Sequence, residues 1–574
     1  MNNKAEWMAV KESFIELRAR DRAKSVLDEG TFRELIDPFQ RVESPHLPLQ
    51  GIVPQSDDGV VTARGTIDGQ PAVVIALEGA FQGGGIGEVC GAKIAGALEL
   101  ALQDHEQGVP TRPVLLLETG GVRLQEGNYG LLAIAEIGAA IVALRPHTPV
   151  VSVISGMIGC YGGMSICAAG LSSHLIMTRQ GRMQLNGSEV IEQEAGIAEL
   201  DSGDKQKIWS MVGGKQRVEA GFADQLVEDD IGQIKQAIRD SFEQGVKKIN
   251  RSAQVKLYQH LLAEIGSAED LKPEDVREMW KNRKDETGAE KLEQLRQGWA
   301  SSSNASGTRG EKWFHLLADH GDIRQGEAPS VLCADGRIGE ENVRFISVVP
   351  DPNARFVRAR NGEVGLDEGW SIAAYVREAM EADQDGQRRT IVAIVDVPSQ
   401  AYGYREELLG IHLACAAAAD AYASARLAGH PVIALIVGNA ISGAFLAHGM
   451  QSNRLIAFND PEVTVQVMSK QSAARITRRS IDELNEAATK VPGAAYDVQS
   501  FAKLGALHQL VDGINASSPD PSDVEKVQHI LTDTIQEIRQ SPVDLRSRLT
   551  SEAAQSGRAA SVHVRKLLKE QWNQ

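Results

Sequence analysis

The chain has 574 residues, of which 42% are apolar, 24% charged and only 5% aromatic, with 55 glycines. That length implies more than one domain and cores large enough to need no disulfide staples, and a glycine-rich, aromatic-poor mix suits close-packed α/β units with tight turns. A formal charge of −17 argues against a surface built to hold nucleic acid, and no apolar run approaches the ~18 residues of a membrane span.

The N-terminal stretch, MNNKAEWMAVKESFIELRARDRAKSVLD, reads as a charged amphipathic helix without the apolar segment of a signal peptide. PAVVIAL (71–77) is a strand, the Gly-rich run GAFQGGGIGEVCG follows, and KIAGALELALQDHEQG reads as a helix. RPVLLLE (112–118) is the next strand, TGGVRLQEG a loop and LLAIAEIGAAIVALRP an apolar helix. TPVVSVISG (148–156) is a third strand, MIGCYGG a second Gly-rich turn, MSICAAGLSSH a helix and LIMT (175–178) a short strand. Charged helical sequence then runs to SSSNASGTRG, a Ser/Gly/Asn stretch with the composition of a linker.

The same order of elements recurs beyond it. TIVAIVDVP (390–398) is a strand, SQAYGYREE a loop, ELLGIHLACAAAADAYASARLAGH a long helix and PVIALIVG (431–438) a strand. NAISG is a turn, FLAHGMQS a helix and RLIAF (454–458) a strand, and PVVSVISG matches PVIALIVG in spacing. A unit this long repeated once means a duplicated domain, not a solenoid. The expected division is 1–285, a linker at 286–308, and 309–574. The stretch 520–574 reads as a pair of charged helices.

Chemistry concentrates at the two Gly-rich turns. Each ends a strand and opens a helix of small residues, where main-chain N–H groups are unpaired and glycine lets a ligand come close. Gly162 and Gly163 in the first turn, and Gly443 and Ala444 in the second, are the candidate oxyanion-binding donors. Tight strand–helix packing would also explain the glycines of one turn; matched turns in two units favour function. GGGIGEVCG (83–91) with Glu118 resembles a dinucleotide fingerprint, but its spacing is not GxGxxG. No GxSxG, HExxH or P-loop pattern occurs, and no metal site is expected. Cys160 reads as a small packed residue, His412 and His448 as core or surface histidines rather than catalytic ones, and Glu118, Glu126, Arg405, Glu406 and Glu407 as solvated loop charges. The five Cys (Cys90, Cys160, Cys167, Cys333 and Cys415) form no CxxC pair or disulfide framework, which suits buried thiols in a cytoplasmic protein. Lys470, Arg475, Arg478 and Arg479 make one basic cluster on an acidic chain, a candidate site for phosphate or an acidic partner; a solvated helix face would account for it equally.

These residues carry a resemblance. ETGGVRLQEG (118–127) looks like the SGGARxQEG-type loop of carboxyltransferase beta domains, and GCYGGMS like their GGxxA-type turn. PSQAYGYREELLGIH and SGAFLAHGMQSNRLIA resemble the gamma subunit of biotin-independent malonate decarboxylase. The whole chain thus resembles that enzyme's beta and gamma subunits joined end to end. The resemblance implies two ClpP/crotonase-like ββα-superhelix domains in one α/β chain. It implies decarboxylation of a malonyl thioester on an acyl carrier protein, through an enolate held by main-chain donors. Gly162 and Gly163 would hold the thioester oxygen, and Gly443 and Ala444 the departing carboxylate. Gly120, Gly121, Tyr161, Tyr402 and Ser442 would line the substrate site, with Tyr161, Tyr402 and water as candidate proton donors. Lys470, Arg475, Arg478 and Arg479 would dock the carrier. The implied partners are that carrier, with a phosphoribosyl-dephospho-CoA arm, and an acyl-transferase alpha subunit, in a homo- or hetero-oligomer. A biotin-dependent carboxyltransferase and a non-catalytic scaffold are the alternative readings.

Overall fold

The structure is a computed structural model that describes residues 12–156, 158–266, 270–284, 287–300, 307–319 and 321–574. Of the N-terminal helix expected from the sequence, residues 1–11 lie outside the described residues, and the helix observed is Ala19–Val26.

Two sheets organise the chain. The first runs in the order β1 (Arg33–Leu35), β2 (Val60–Ile67), β3 (Gln70–Leu77), β4 (Arg112–Leu117), β5 (Val151–Ile154), β7 (His174–Thr178), β9 (Gln225–Val227). A separate parallel pair, β6 (Cys160–Tyr161) with β8 (Met183–Gln184), lies beyond the end of β5. The second sheet runs β10 (Asp322–Ile323), β11 (Val331–Ile338), β12 (Glu341–Val348), β13 (Thr390–Val397), β14 (Val432–Ile441), β15 (Arg454–Phe458), β17 (Gln509–Val511), with β16 (Thr464–Gln466) pairing the far end of β14. Strand for strand the two topologies agree. Each opens with an antiparallel hairpin and continues with parallel strands. The repeat visible in the sequence is therefore a repeat of topology.

The parallel strands read as unbroken Val/Ile/Leu runs because helices cover both faces of such a sheet. The opening hairpins were not legible in that way. VVTARGTI mixes polar with apolar residues, and its turn is formed by Asp68 and Gly69 with φ of 51° and 71°, the left-handed pair a two-residue hairpin demands.

Glycine and alanine serve helix approach. The buried helix Ile411–Leu427 packs against Leu366–Ala382, where a Cβ on Gly369 would sit 2.6 Å from the Ala414 carbonyl carbon. The same helix meets Ser165–Gly170 of the first half, where a Cβ on Gly170 would come 2.7 Å from Ala416 Cβ. Larger residues at these crossings would force the helices apart. The long helix expected over the second half's central stretch is broken. Tyr404–Leu408 and Ile411–Leu427 are separated by Gly410, whose φ of 79° ends one helix before the next begins.

The expected linker contains a helix, Ala289–Ala300, and Lys291 pairs with Glu264 on the helix Val255–Ile265 at 2.9 Å. Residues 301–306 of the Ser/Asn run lie outside the described residues. The C-terminal stretch forms Pro521–Arg539 and three shorter helices, of which the last, Ala559–Gln571, lies along Glu88–Glu106 of the first half. Gly96 makes room for it, since a Cβ there would be 2.9 Å from Leu568 Cδ1. Buried Arg558 donates to Glu136 Oε1 at 2.6 Å, and Arg565 reaches both Glu136 and Glu99. Although burial alone would raise it, these two guanidinium charges bring the Glu136 carboxyl down to about 2. The second half is thus clamped onto the first by its own C-terminus.

Candidate active site

A cleft of about 150 Å³ opens between the halves. From the first half it is lined by the glycine turn after β5 and the loop after β4, and from the second by the loop after β13 and the turn after β14. Gly120, Tyr161, Gly162, Gly163, Tyr402 and Ser442 all face it. Two turns separated by some 280 residues in sequence therefore meet at one place. The other walls are apolar, from residues such as Leu131, Val190, Leu446 and Val467.

A strand-end carboxylate packs against each turn. Glu118, just past the end of β4, sets its buried carboxylate against Gly156. A Cβ on Gly156 would lie 2.1 Å from Glu118 Oε1. In the second half Asp396 takes that place on β13, accepting Asn439 N–H at 3.0 Å, and a Cβ on Gly438 would again lie 2.1 Å from the carboxylate. Glu118 is thus no solvated loop charge. Burial pushes its carboxyl up, and the Arg22 charge pulls it part of the way back.

The main-chain donors divide. Gly163 stands in the first helical turn leading to Ser165–Gly170, where an N–H lacks an intrahelical acceptor. Gly162, taken from sequence as its equal, donates instead to the Leu185 carbonyl at 3.0 Å. Its φ of 59° turns the chain so that Gly163 follows into the cleft. Gly121, with φ of 97°, presses on the same turn: a Cβ there would be 3.1 Å from the Tyr161 carbonyl oxygen. Gly120 and Gly121 spend their own N–H groups on Gly83 O and Thr119 Oγ1, so they shape the wall without offering donors. In the second turn Gly443 donates to Gln400 Oε1 at 3.0 Å, and Ala444 is fully buried behind it. Ser442 lines the cleft with φ of 52°, a left-handed conformation that is costly for a residue with a Cβ.

Behind the cleft a polar chain joins the halves. Glu407 accepts Leu185 N–H at 3.1 Å and Asn186 N–H at 2.6 Å, while Arg217 donates to the Glu407 main-chain carbonyl at 2.7 Å. Glu406 and Glu407 are both buried, contrary to the solvated loop expected, and Glu407 is the acceptor for the Leu185 and Asn186 N–H groups. Burial pushes each of the two carboxyls up to about 7. Asn186 and Gln400, which also line the cleft, had no place in the sequence reading; both stand beside motifs, LNGSE and PSQAYG, that mark strand-end loops.

The phenols of Tyr161 and Tyr402 are raised by burial and stay protonated at neutral pH. Among the described residues they are the only ionisable side chains on the lining. Cys160 is buried on β6 and its thiol is likewise pushed up, which removes a thiolate from consideration. His448 is a core histidine, lowered to about 4 by burial, with its ring nitrogens on Tyr422 Oη and the Ile394 carbonyl. His412 is equally buried and held neutral.

The GGGIGEVCG segment leaves no room for a pyrophosphate. Glu126 Oε2 accepts Glu88 N–H at 3.1 Å and lies 1.3 Å from where a Gly87 Cβ would be, so the protein's own carboxylate fills that helix start.

The basic cluster sits at the cleft mouth. Its helix, Lys470–Thr477, contributes Ile476 to the lining. The four cations are not equivalent. Arg475 pairs with Glu192 of the first half at 2.6 Å, Arg479 donates to Gln50 Oε1 at 2.8 Å and Lys470 to Asn485 Oδ1 at 2.8 Å. Arg478 is exposed at the end of the helix.

Matched glycine turns from two copies of one topology thus converge on one cleft, the arrangement of a substrate-binding site. Comparison with known proteins narrows this. The family profile of the malonate decarboxylase gamma subunit matches residues 359–572. The malonyl-S-ACP:biotin-protein carboxyltransferase MADC of Malonomonas rubra is 37% identical over 290 residues, spanning 48% of this chain and 91% of that protein. Its companion MADD is 34% identical over 192 residues, 33% of this chain and 66% of that one. A chain of the Pseudomonas malonate decarboxylase hetero-tetramer, solved with malonate, is 55% identical over 48% of this chain and 99% of that chain, with a TM-score of 0.47. The chain belongs to the carboxyltransferase family of malonate decarboxylases. No helix among the described residues is long and apolar enough to cross a membrane.

Proposed function

We propose that this chain is the decarboxylating component of a malonate decarboxylase, a carbon–carbon lyase made of two crotonase-like ββα-superhelix units. Its substrate is a malonyl thioester on an acyl carrier protein. The observation that carries the reading is the Gly163 N–H, set in a largely apolar cleft opposite the turn that bears Ser442, Gly443 and Ala444.

The thioester oxygen takes the Gly163 N–H, and the malonyl carboxylate lies toward the second turn. When the bond between the carboxylate carbon and the methylene breaks, its electron pair moves into the thioester as an enolate. CO2 departs, and a proton returns to the methylene carbon to give acetyl thioester. A main-chain donor aimed at the developing oxyanion stabilises that charge without reorganising. The apolar walls act in the same direction, because a desolvated carboxylate gains by passing its charge to a stabilised enolate. Tyr161 and Tyr402, neutral phenols on the cleft lining, serve with water as the candidate proton donors.

The carrier approaches from the side of Lys470–Thr477, where Arg478, exposed beside the inward-paired Arg475 and Arg479, meets the anionic groups of its arm. That arm is a CoA-like phosphoribosyl-dephospho-CoA group. The assembly also includes an acyl-transferase alpha subunit.

A second reading has an observation of its own: the Malonomonas relatives are named biotin-protein carboxyltransferases. Purified protein given malonyl-carrier, with and without avidin, separates the two. CO2 release untouched by avidin supports the decarboxylase, and release that requires a biotinylated partner overturns it.

A further inference from the structure

Gln400 stands where the two halves meet, 5% exposed and on the cleft lining. The direction of its amide is fixed by the groups around it. Gly443 N–H can only donate, so Gln400 must present its oxygen there, at 3.0 Å. Its Nε2 then faces Asn186 Oδ1 at 2.8 Å, and Asn186 Nδ2 faces the Ala401 carbonyl, which can only accept, at 2.9 Å. A main-chain donor at one end and a main-chain acceptor at the other leave the chain of bonds one possible polarity. Asn186 is itself pinned through its main chain by Glu407. Ala401 and Glu407 of the second half, through Asn186 of the first, thus aim the Gln400 amide oxygen at the Gly443 N–H.

We infer that Gln400 is a placeholder for the substrate. Its amide oxygen holds the Gly443 N–H in the position that an oxygen of the malonyl carboxylate must take, and binding exchanges one acceptor for the other. This rests on the reading of the second turn as the carboxylate site. An N–H makes one well-aligned bond of about 2.9 Å, so the two acceptors exclude each other. A buried N–H without any acceptor is costly, and Gln400 removes that cost between turnovers. The consequence is weaker apparent binding, because the substrate competes with a tethered rival.

Two variants move the competition in opposite directions. Gln400→Ala removes the rival and lowers the KM for malonyl-carrier about fivefold, the order of one neutral hydrogen bond. Gln400→Glu puts a carboxylate on the same N–H, a stronger charge-assisted bond that also repels the malonyl group, and raises KM. A side chain that only braced the loop would raise KM, or lower kcat, in both. Hydrogen exchange of the peptide spanning Asn439–Ala447 reads the same contact without turnover. In Gln400→Ala, exchange is fast and malonyl-carrier slows it at least tenfold, whereas in the unaltered protein the ligand changes it little. Exchange in Gln400→Ala that ignores the ligand overturns the placeholder. Ligand protection in that variant, from a protein that releases no CO2, overturns the decarboxylase reading and leaves the placeholder standing.

Discussion

Gly163→Pro against Gly163→Ala isolates one main-chain N–H. Both substitutions add the same Cβ, which would lie 2.6 Å from Leu446 Cδ1 and 3.0 Å from Ile134 Cγ2. The closer clash is with the far end of a flexible leucine and the other with the stiff β-branch of a helical isoleucine, so the overpacking costs roughly 1–3 kcal/mol in either variant. Proline alone removes the donor. It does so in the first turn of a helix, where its ring is well tolerated, so the fold survives both changes. Losing one oxyanion donor costs about 2.7–4 kcal/mol of transition-state stabilisation. The expected result is a kcat for CO2 release that is roughly 10²–10³ lower in Gly163→Pro than in Gly163→Ala, at similar thermal midpoints. Single-turnover release of CO2 from malonyl-carrier is the assay, with far-ultraviolet circular dichroism as the fold check. If the two variants agree within a factor of about three, a donor loss worth 10² or more is absent and the Gly163 N–H is not the oxyanion donor.

Glu368 is buried, takes Gly365 N–H at 3.0 Å and Ser330 Oγ, and is pushed up to about 8 by burial. Its folded form keeps a proton that the unfolded chain releases above about pH 4.5. Stability therefore falls as pH rises toward 8, by up to about 1.4 kcal/mol per pH unit, and Glu368→Gln, which can satisfy both contacts, flattens that fall in thermal melts from pH 5 to 8. Arg558→Leu leaves buried Glu136 short of one cation and costs about 3–5 kcal/mol in urea unfolding. Adding Glu136→Leu recovers part of this, because Arg565 keeps Glu99 at 2.9 Å. Arg478→Glu raises the KM for malonyl-carrier at low salt, and the difference vanishes near 1 M salt, where the screening length is about 3 Å. Arg475→Glu does the same and also loses the bond to Glu192; a KM insensitive to both removes the docking surface.

The sequence carried the repeat because the strands it depends on are buried on both faces. PVVSVISG and PVIALIVG are legible as strands wherever they stand, and the glycine that ends each one announces a turn. The carboxylates behind those turns were legible as residues but not as contacts. Glu118 and Asp396 close the strands next to the turns they hold, and nothing in a linear reading says that a strand-end acid points sideways. Gly162 and Gly163 show the limit in one dipeptide. Composition makes them equal, whereas φ of 59° at the first and the Leu185 carbonyl beside it spend one N–H and free the next.

The site was half legible for a related reason. A main-chain donor leaves a local signature, since only small residues let it be reached. Side-chain acceptors that cross between halves leave none. Gln400 finds Asn186 across 214 residues, and Glu407 finds Leu185 across 222. Those bonds exist only after the halves have packed, and the packing surface itself is written as alanine and glycine on the helices Ile411–Leu427 and Ser165–Gly170. The basic cluster makes the converse point. Four cations within ten residues look like one surface, yet Arg475 and Arg479 turn inward to Glu192 and Gln50 and tie the mouth of the cleft together. Charge spent in that way is fixed in place beside the opening. On the proposed docking surface a carrier would meet, at Arg478, a cation on a helix already tied to the first half by its neighbours, which lowers the ordering cost of docking.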